Sequence, residues 1–271
     1  MKRVFAVFLV CSAASPVFLH SGASQSQTEA PPQNPGSSTS GILVELFTSE
    51  GCSSCPPADE LLRRLDAQRS VSAKQIVVLS EHVDYWDRTG WRDRFSSREY
   101  TDRQEEYARR FGISGPYTPE MVVDGKHEFV GNNSHLLEDA LRSADIQPKA
   151  LISISAADLD GSDLIVELEA SALPAGAKHG DLYIAVADNS DETQVKSGEN
   201  SGRQLRHVAV LRSLRKVGKV SSEGVRKEFK LRVPKDLTKD NLRVIAFVQE
   251  PGNGAVLGST LRILSEKVAT R

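Results

Sequence analysis

The chain has 271 residues, enough for one large domain or for two modest domains that each bury a core. It carries 34 lysines and arginines against 36 aspartates and glutamates, and its net charge at pH 7 is −2. This balance, with no long basic block, argues against nucleic acid or an anionic membrane surface as the main partner. Composition alone leaves the oligomeric state open.

The first residues have the features of a secretory signal peptide. Lys2 and Arg3 form a charged start, residues 4–14 are apolar, and small residues at 21–24 offer cleavage sites. The apolar stretch is too short to span a bilayer, and no later segment approaches about 20 consecutive apolar residues. We therefore predict a signal peptide over residues 1–24 and a periplasmic or secreted protein without a membrane span.

An α/β domain is predicted for residues 41–147. It follows residues 25–40, whose Gln, Ser, Pro and Gly predict a disordered linker. Apolar periodicity and turn residues then give the order βαβαββα. The predicted elements are a strand over 42–47, a helix over 56–68, a strand over 75–80, a helix over 95–111, a hairpin of 121–123 with 126–130, and a helix over 134–141.

Residues 148–271 have a different pattern and predict a β-rich domain. Short apolar runs are separated there by Gly, Asp, Asn and Pro. Seven such runs favour an antiparallel, sandwich-like arrangement. They cover residues 151–155, 164–168, 182–187, 208–214, 225–233, 242–248 and 256–264.

The stretch G-C-S-S-C-P-P at residues 51–57 is the strongest chemical signal. Removal of the signal peptide also removes Cys11, so the mature chain keeps only Cys52 and Cys55. A disulfide that closes so small a loop stabilises a fold little, which favours a chemical role. A C-x-x-C that follows a strand and opens a helix is typical of a thioredoxin-like redox motif, because the helix start stabilises a thiolate. Cys52 is the predicted nucleophile and the more accessible thiol, and Cys55 is the predicted resolving thiol.

A second segment, F-G-I-S-G-P-Y-T-P-E-M-V-V-D-G at residues 111–125, resembles the thioredoxin segment that carries a cis-proline before a strand. That resemblance implies a thioredoxin-like fold. It also implies that the Thr118-Pro119 bond is cis, and that Pro119 lies beside Cys52 and offers a backbone edge to substrates.

Two further residues are candidates for proton transfer. Thioredoxins place a buried acid six residues before the first cysteine, and Glu45 lies seven before Cys52. Glu45 is either a buried proton acceptor for Cys55 or a solvated residue at a strand edge.

His82 follows the second strand in E-H-V-D-Y-W-D-R-T-G-W, and parallel strands end at one rim. The loop is either a substrate wall with His82 as proton shuttle, or scaffolding whose aromatics pack on the next helix.

Three segments resemble a family of uncharacterised secreted bacterial proteins, catalogued as a domain of unknown function. They are the loop after the second strand, F-S-S-R-E-Y at 95–100, and G-E-N-S-G-R-Q-L-R-H at 198–207. The resemblance implies a bacterial, periplasmic setting. Residues 200–206 either cover the redox site or connect two strands. The remaining histidines are expected to be surface or packing residues: His127, His135, His179 and His207.

Three functions remain open. The leading one is a thiol-disulfide oxidoreductase that acts on protein or small-molecule thiols and needs no cofactor beyond its own disulfide. The second is a Cu(I)-binding protein or metallochaperone that uses Cys52 and Cys55, with a histidine or Met121 as a further ligand. The third is a non-catalytic binding module in which the disulfide is structural.

Overall fold

The structure is a computed structural model that describes residues 40–264. The predicted signal peptide and all but the last residue of the predicted linker lie outside the described residues. The first strand begins at Gly41, the first residue of the predicted α/β domain and one residue before the predicted strand.

The predicted βαβαββα order is confirmed, with one additional two-residue strand, β2, that pairs with the start of β3. Proline at the first helical positions starts α1, Ser97 caps α2 through the N–H of Glu99, and Asn133 caps α3. The elements are β1 (Gly41–Thr48), α1 (Pro56–Gln68), β2 (Ser70–Val71), β3 (Lys74–His82), α2 (Arg98–Phe111), β4 (Glu120–Val123), β5 (His127–Val130) and α3 (Ser134–Asp145).

All seven strands predicted after Pro148 are present, and two of them are much longer than predicted. They are β6 (Ile152–Asp160), β7 (Asp163–Ala170), β8 (Gly180–Gln194), β9 (Gln204–Val220), β10 (Val225–Arg232), β11 (Leu242–Gln249) and β12 (Val256–Ile263). A short 3-10 helix, Lys239–Asn241, precedes β11.

The strands form one large mixed sheet and one small sheet. The large sheet has the order β12-β11-β8-β9-β3-β1-β4-β5, and the small sheet has the order β10-β7-β6. Strand β3 is parallel to both β1 and β9, and the other pairings are antiparallel. Four C-terminal strands thus extend the sheet that carries the helices, and the predicted sandwich is not shown. The division into domains at residue 147 stays a prediction.

The two faces of β1 contact different helices, because alternate residues of a strand point in opposite directions. On one face, Val44 and Leu46 share a buried cluster with Leu62 of α1 and with residues of α3. On the other face, Phe47 packs with Tyr107 of α2. Residues of β6, β7 and β10 bury a further cluster against β8 and β11.

Within residues 40–264, none of the helices has the length and apolar character needed to cross a membrane.

Candidate functional site

Cys52 and Cys55 form a disulfide in the turn between β1 and α1, with their Cα atoms 5.4 Å apart. The N–H of Cys52 donates to the carbonyl of Ser49, and the N–H of Cys55 donates to the carbonyl of Cys52, so the turn is tightly folded. The hydroxyl of Ser54 lies 3.4 Å from the sulfur of Cys52. Both cysteines are 0% exposed. The greater accessibility predicted for Cys52 is therefore not found in the disulfide form.

The loop between β8 and β9, residues 195–203, lies over the disulfide, and we call it the covering loop. The side-chain amide of Asn200 donates to the carbonyls of Glu50 and Cys52, each at 2.9 Å, and Asn200 is fully buried. The carboxylate of Glu199 accepts from the N–H of Ser53 at 3.1 Å. Of the two interpretations left open by the sequence, these contacts support the covering role.

The Thr118-Pro119 peptide bond is cis, as predicted. A Cβ atom placed on Gly131 would lie 3.2 Å from the Cβ of Pro119 and 3.3 Å from the Cβ of Ala58. Ala58 belongs to the first turn of α1, immediately after the cysteines. Pro119 and the first turn of the helix that follows the C-x-x-C turn therefore both lie next to Gly131.

The loop after β3 contacts both the disulfide turn and the cis-proline segment. A Cβ on Gly51 would lie 3.2 Å from that of Trp86, and the indole N–H of Trp86 donates to the Thr118 hydroxyl at 2.7 Å. The indole N–H of Trp91 donates to Glu50 at 2.7 Å. The disulfide turn after β1 and the loop after β3 thus lie at the same edge of the sheet, as expected for two neighbouring parallel strands. Trp86 also packs near Tyr107 of α2, as the scaffolding interpretation requires.

His82 is the last residue of β3 and is buried, with Nδ1 2.7 Å from Oδ2 of Asp93. The same carboxylate oxygen accepts from the backbone N–H of Glu50 at 2.8 Å. Glu50 lies two residues before Cys52. Burial opposes the charge on Asp93, but His82 and the backbone N–H groups lower its pKa to about 2. His82 is thus tied to the disulfide turn through Asp93, and its role as a proton shuttle stays a prediction.

His207 of β9 is buried between two carboxylates. Its Nε2 lies 3.6 Å from Oε1 of Glu50, and its Nδ1 lies 3.8 Å from Oδ1 of Asp59. Burial opposes its charge, but the two carboxylates prevail and raise the pKa of His207 to about 10. Its ring lies 4.7 Å from that of His82. We call Glu50, Asp59, His82, Asp93 and His207 the buried histidine cluster.

Most of this cluster is not predictable from the sequence, in which His207 has the features of a surface or packing residue. One signal was readable, because Asp59 follows Cys55 by four residues on a predicted helix. The others could not be placed beforehand. Asn200 is separated from Cys52 by 148 residues along the chain, and no local pattern reports such a contact.

Glu45 is fully buried, so the solvated strand-edge interpretation is wrong. Its carboxylate accepts from Nε of Arg103 at 2.8 Å and from the hydroxyl of Tyr107 at 2.6 Å. Both partners belong to α2, so Glu45 lies on the face of β1 opposite to α1. Burial and the neighbouring Glu45 raise the pKa of Glu81 well above its usual range. The role of Glu45 as proton acceptor for Cys55 stays a prediction.

Residues 40–264 contain no group of three or more His, Cys, Asp and Glu side chains that could hold a metal ion. Met121, the sulfur ligand considered for copper, is fully buried in the apolar cluster beneath α1 and α3.

Comparisons with known proteins give a fold and a family. No curated protein matches the chain significantly. The crystal structure of protein AGR_C_4864 from Agrobacterium tumefaciens is similar over 87% of this chain and 99% of that one, with 25% identity and a TM-score of 0.64. HBP35 of Porphyromonas gingivalis is similar over 87% of this chain and 79% of that one, with 17% identity and a TM-score of 0.60, which shows a shared fold alone.

A sequence profile described as "Protein of unknown function (DUF1223)" matches residues 43–249, which is most of the chain. The chain belongs to that family.

Proposed function

We propose that the protein is a thiol-disulfide oxidoreductase with a thioredoxin-like N-terminal half, acting in the periplasm or outside the cell. The observation that carries the proposal is the position of the Cys52–Cys55 disulfide. It lies at the start of α1, at the carboxyl end of a strand, and the cis-bonded Pro119 and Ala58 of the first turn of α1 both lie next to Gly131. Substrates are protein or small-molecule thiols and disulfides.

The chemistry follows from thiol-disulfide exchange. In the reduced protein the Cys52 thiolate attacks a substrate disulfide, so that a mixed disulfide forms and one substrate thiolate leaves. Cys55 then attacks the sulfur of Cys52, the bond to the substrate breaks, and the second substrate thiolate leaves. The protein dithiol loses two electrons and two protons, and the substrate disulfide gains both. The reverse sequence oxidises a substrate dithiol.

Two features support Cys52 as the first nucleophile. It lies outside the helix, whereas Cys55 already has helical dihedrals, so Cys52 faces the positive end of the α1 dipole. The hydroxyl of Ser54 is within reach of its sulfur and can donate to a thiolate.

Redox equilibrium with glutathione tests the proposal. The mature chain is incubated with defined ratios of reduced and oxidised glutathione, quenched with acid and alkylated. We expect a single reversible transition between dithiol and disulfide, and a stable glutathione adduct on Cys52 in a Cys55→Ser variant. The Cys52→Ser variant is the matched control and should form little adduct. A disulfide that no ratio reduces, or a reduced pair that binds Cu(I) without exchanging with glutathione, would contradict the proposal.

A further inference from the structure

Helix geometry fixes the position of one carboxylate of the buried histidine cluster relative to Cys55. Cys55 has right-handed helical dihedrals, and its carbonyl accepts from the N–H of Asp59 at 3.1 Å. Residues four apart on a helix point to the same side, with Cβ atoms about 5–6 Å apart. Asp59 is buried. Its carboxylate therefore shares the buried side of α1 with the sulfur of Cys55.

The partners of Asp59 suit an ionised carboxylate. The hydroxyl of Thr48 donates to Oδ1 at 2.9 Å, and Nδ1 of His207 lies 3.8 Å from the same oxygen. Neither ring nitrogen of His207 has a hydrogen-bond partner among the described residues, although the side chain is 0% exposed. A buried carboxylate is costly unless it is hydrogen-bonded and paired with a cation, and these two neighbours supply both conditions.

Resting on the oxidoreductase function proposed above, we propose that Asp59 takes the proton from Cys55 when that thiol becomes the resolving nucleophile. His207 is then a positioning residue, with Nδ1 3.8 Å from the carboxylate of Asp59. The proton of the Cys55 thiol passes to the carboxylate, and the thiolate attacks the Cys52 sulfur of the mixed disulfide. The bond between Cys52 and the substrate sulfur breaks, the substrate leaves as a thiolate, and Asp59 later releases its proton to solvent.

Glu45, the acceptor suggested by the sequence, has a less suitable position. Its carboxylate lies on the α2 face of β1, where Arg103 and Tyr107 both donate to it. Strand β1 therefore separates Glu45 from the face that carries α1 and Cys55.

The resolving step can be followed directly with glutathione disulfide. The reduced mature protein is mixed with this probe between pH 6 and 9, quenched in acid, and the mixed disulfide and released glutathione are quantified. In Asp59→Asn we expect resolution at pH 7 to slow about tenfold or more, with a pH midpoint that rises toward the value of about 8.5 for a free thiol. The preceding attack by Cys52 should keep its rate. Asp124→Asn is the matched control, because it makes the same change at a buried carboxylate paired with Lys149.

His207→Gln provides a second test that keeps Asp59 and serves if Asp59→Asn fails to fold. Resolution should slow in the same direction, because Asp59 then loses the imidazole that lies 3.8 Å from its carboxylate. Glu50 and His82 also face His207, Asp93 is bound to His82, and Asp191 lies opposite His207 on β8. His207→Gln changes the electrostatic environment of these groups, whereas Asp59→Asn keeps His207 beside them, so the two variants are compared with each other.

Two results would overturn the inference while leaving the proposed function intact. One is an identical pH profile of resolution in Asp59→Asn, His207→Gln and Asp124→Asn. The other is a loss of resolution in Glu45→Gln while Asp59→Asn resolves the mixed disulfide at the wild-type rate. A wild-type protein that never forms a mixed disulfide with glutathione would instead contradict the proposed function, and this inference with it.

Discussion

His207 links the charge of a single residue to the stability of the whole protein. Its pKa in the folded protein is about 10, because Asp59 and Glu50 outweigh the effect of burial, against 6.5 for a free histidine. The folded state therefore binds the proton more tightly, and this stabilisation is complete below pH 6.5 and is lost as pH rises to 10. We expect the free energy of unfolding of the disulfide form to fall by a few kcal/mol across this window. In His207→Gln, denaturant titrations at pH 8 and pH 10 should give nearly equal values.

Glu120 gives a second residue-scale prediction in a lower pH window. It is buried beside Pro119, and burial raises its pKa from 4.5 to about 8, although Gln104 donates to it at 2.6 Å. The folded state holds this proton and the unfolded state releases it, so stability falls as pH rises from 4.5 to 8.

Glu120→Gln should remove this dependence and keep the acceptor for Gln104. We expect the variant to match wild type at pH 4.5 and to exceed it by a few kcal/mol at pH 8, measured as free energies of unfolding in urea. Equal stability of the two proteins at both pH values would show that Glu120 is ionised in the fold.

How far the candidate site could be predicted differs from residue to residue. Cys52, Cys55 and Pro119 were readable because each belongs to a short motif whose spacing reflects local geometry. Glu45 was placed only as one of two alternatives, since its partner Arg103 lies 58 residues away. His207 could not be placed, because its two carboxylates come from the turn after β1 and from α1, and only the tertiary fold joins them to β9.

At the scale of elements, we expect the covering loop to limit access to the disulfide. Asn200→Ala removes two hydrogen bonds to the disulfide turn and leaves the carbonyls of Glu50 and Cys52 without this donor. Each such bond contributes about 1 kcal/mol net. We expect dithiothreitol to reduce the disulfide about tenfold faster in this variant. The rate is measured by quenching samples in acid and alkylating the free thiols.

Ser201→Ala is the matched control, because this hydroxyl donates to the carbonyl of Lys196 within the same loop, at 3.2 Å. It should leave the reduction rate unchanged. Equal reduction rates in Asn200→Ala and wild type would mean that reagents reach the sulfurs by another route.

Elements were predicted better than their arrangement. Every helix and strand expected between residues 41 and 264 is present. Secondary structure was predictable because hydrophobic periodicity and turn residues are read from a few neighbouring positions in the sequence. The partners of the C-terminal strands were not predictable in the same way. Strand β9 pairs along β8 in antiparallel fashion, as its sequence suggests, but it also contacts β3 in parallel, through Ser80 and Val210. A parallel contact between distant segments leaves no signature in either sequence.

For the whole molecule, the shared sheet predicts cooperative unfolding. Val208 and Ala209 of β9 belong to the same buried cluster as the apolar face of α1. A fragment of residues 41–147 would expose this cluster and the edge of β3. We expect the fragment to show no cooperative thermal transition and no protected disulfide. The full chain should unfold in one transition, with the fluorescence of Trp86 and Trp91 and the far-ultraviolet circular dichroism changing together.

Two separate transitions in the full chain, or a fragment of residues 41–147 that folds alone, would instead support the division at residue 147 that the sequence predicts.

The separation of 148 residues between Cys52 and Asn200 also has a consequence for biosynthesis. The cysteine pair leaves the ribosome long before the asparagine that closes over it, and strand β9 can take its place beside β3 only when most of the chain exists. During that interval the thiols are open to every oxidant and reductant around the nascent chain. A partner that reaches Cys52 and Cys55 before Asn200 is in place therefore meets an open disulfide turn, whereas a partner of the folded protein meets the covering loop.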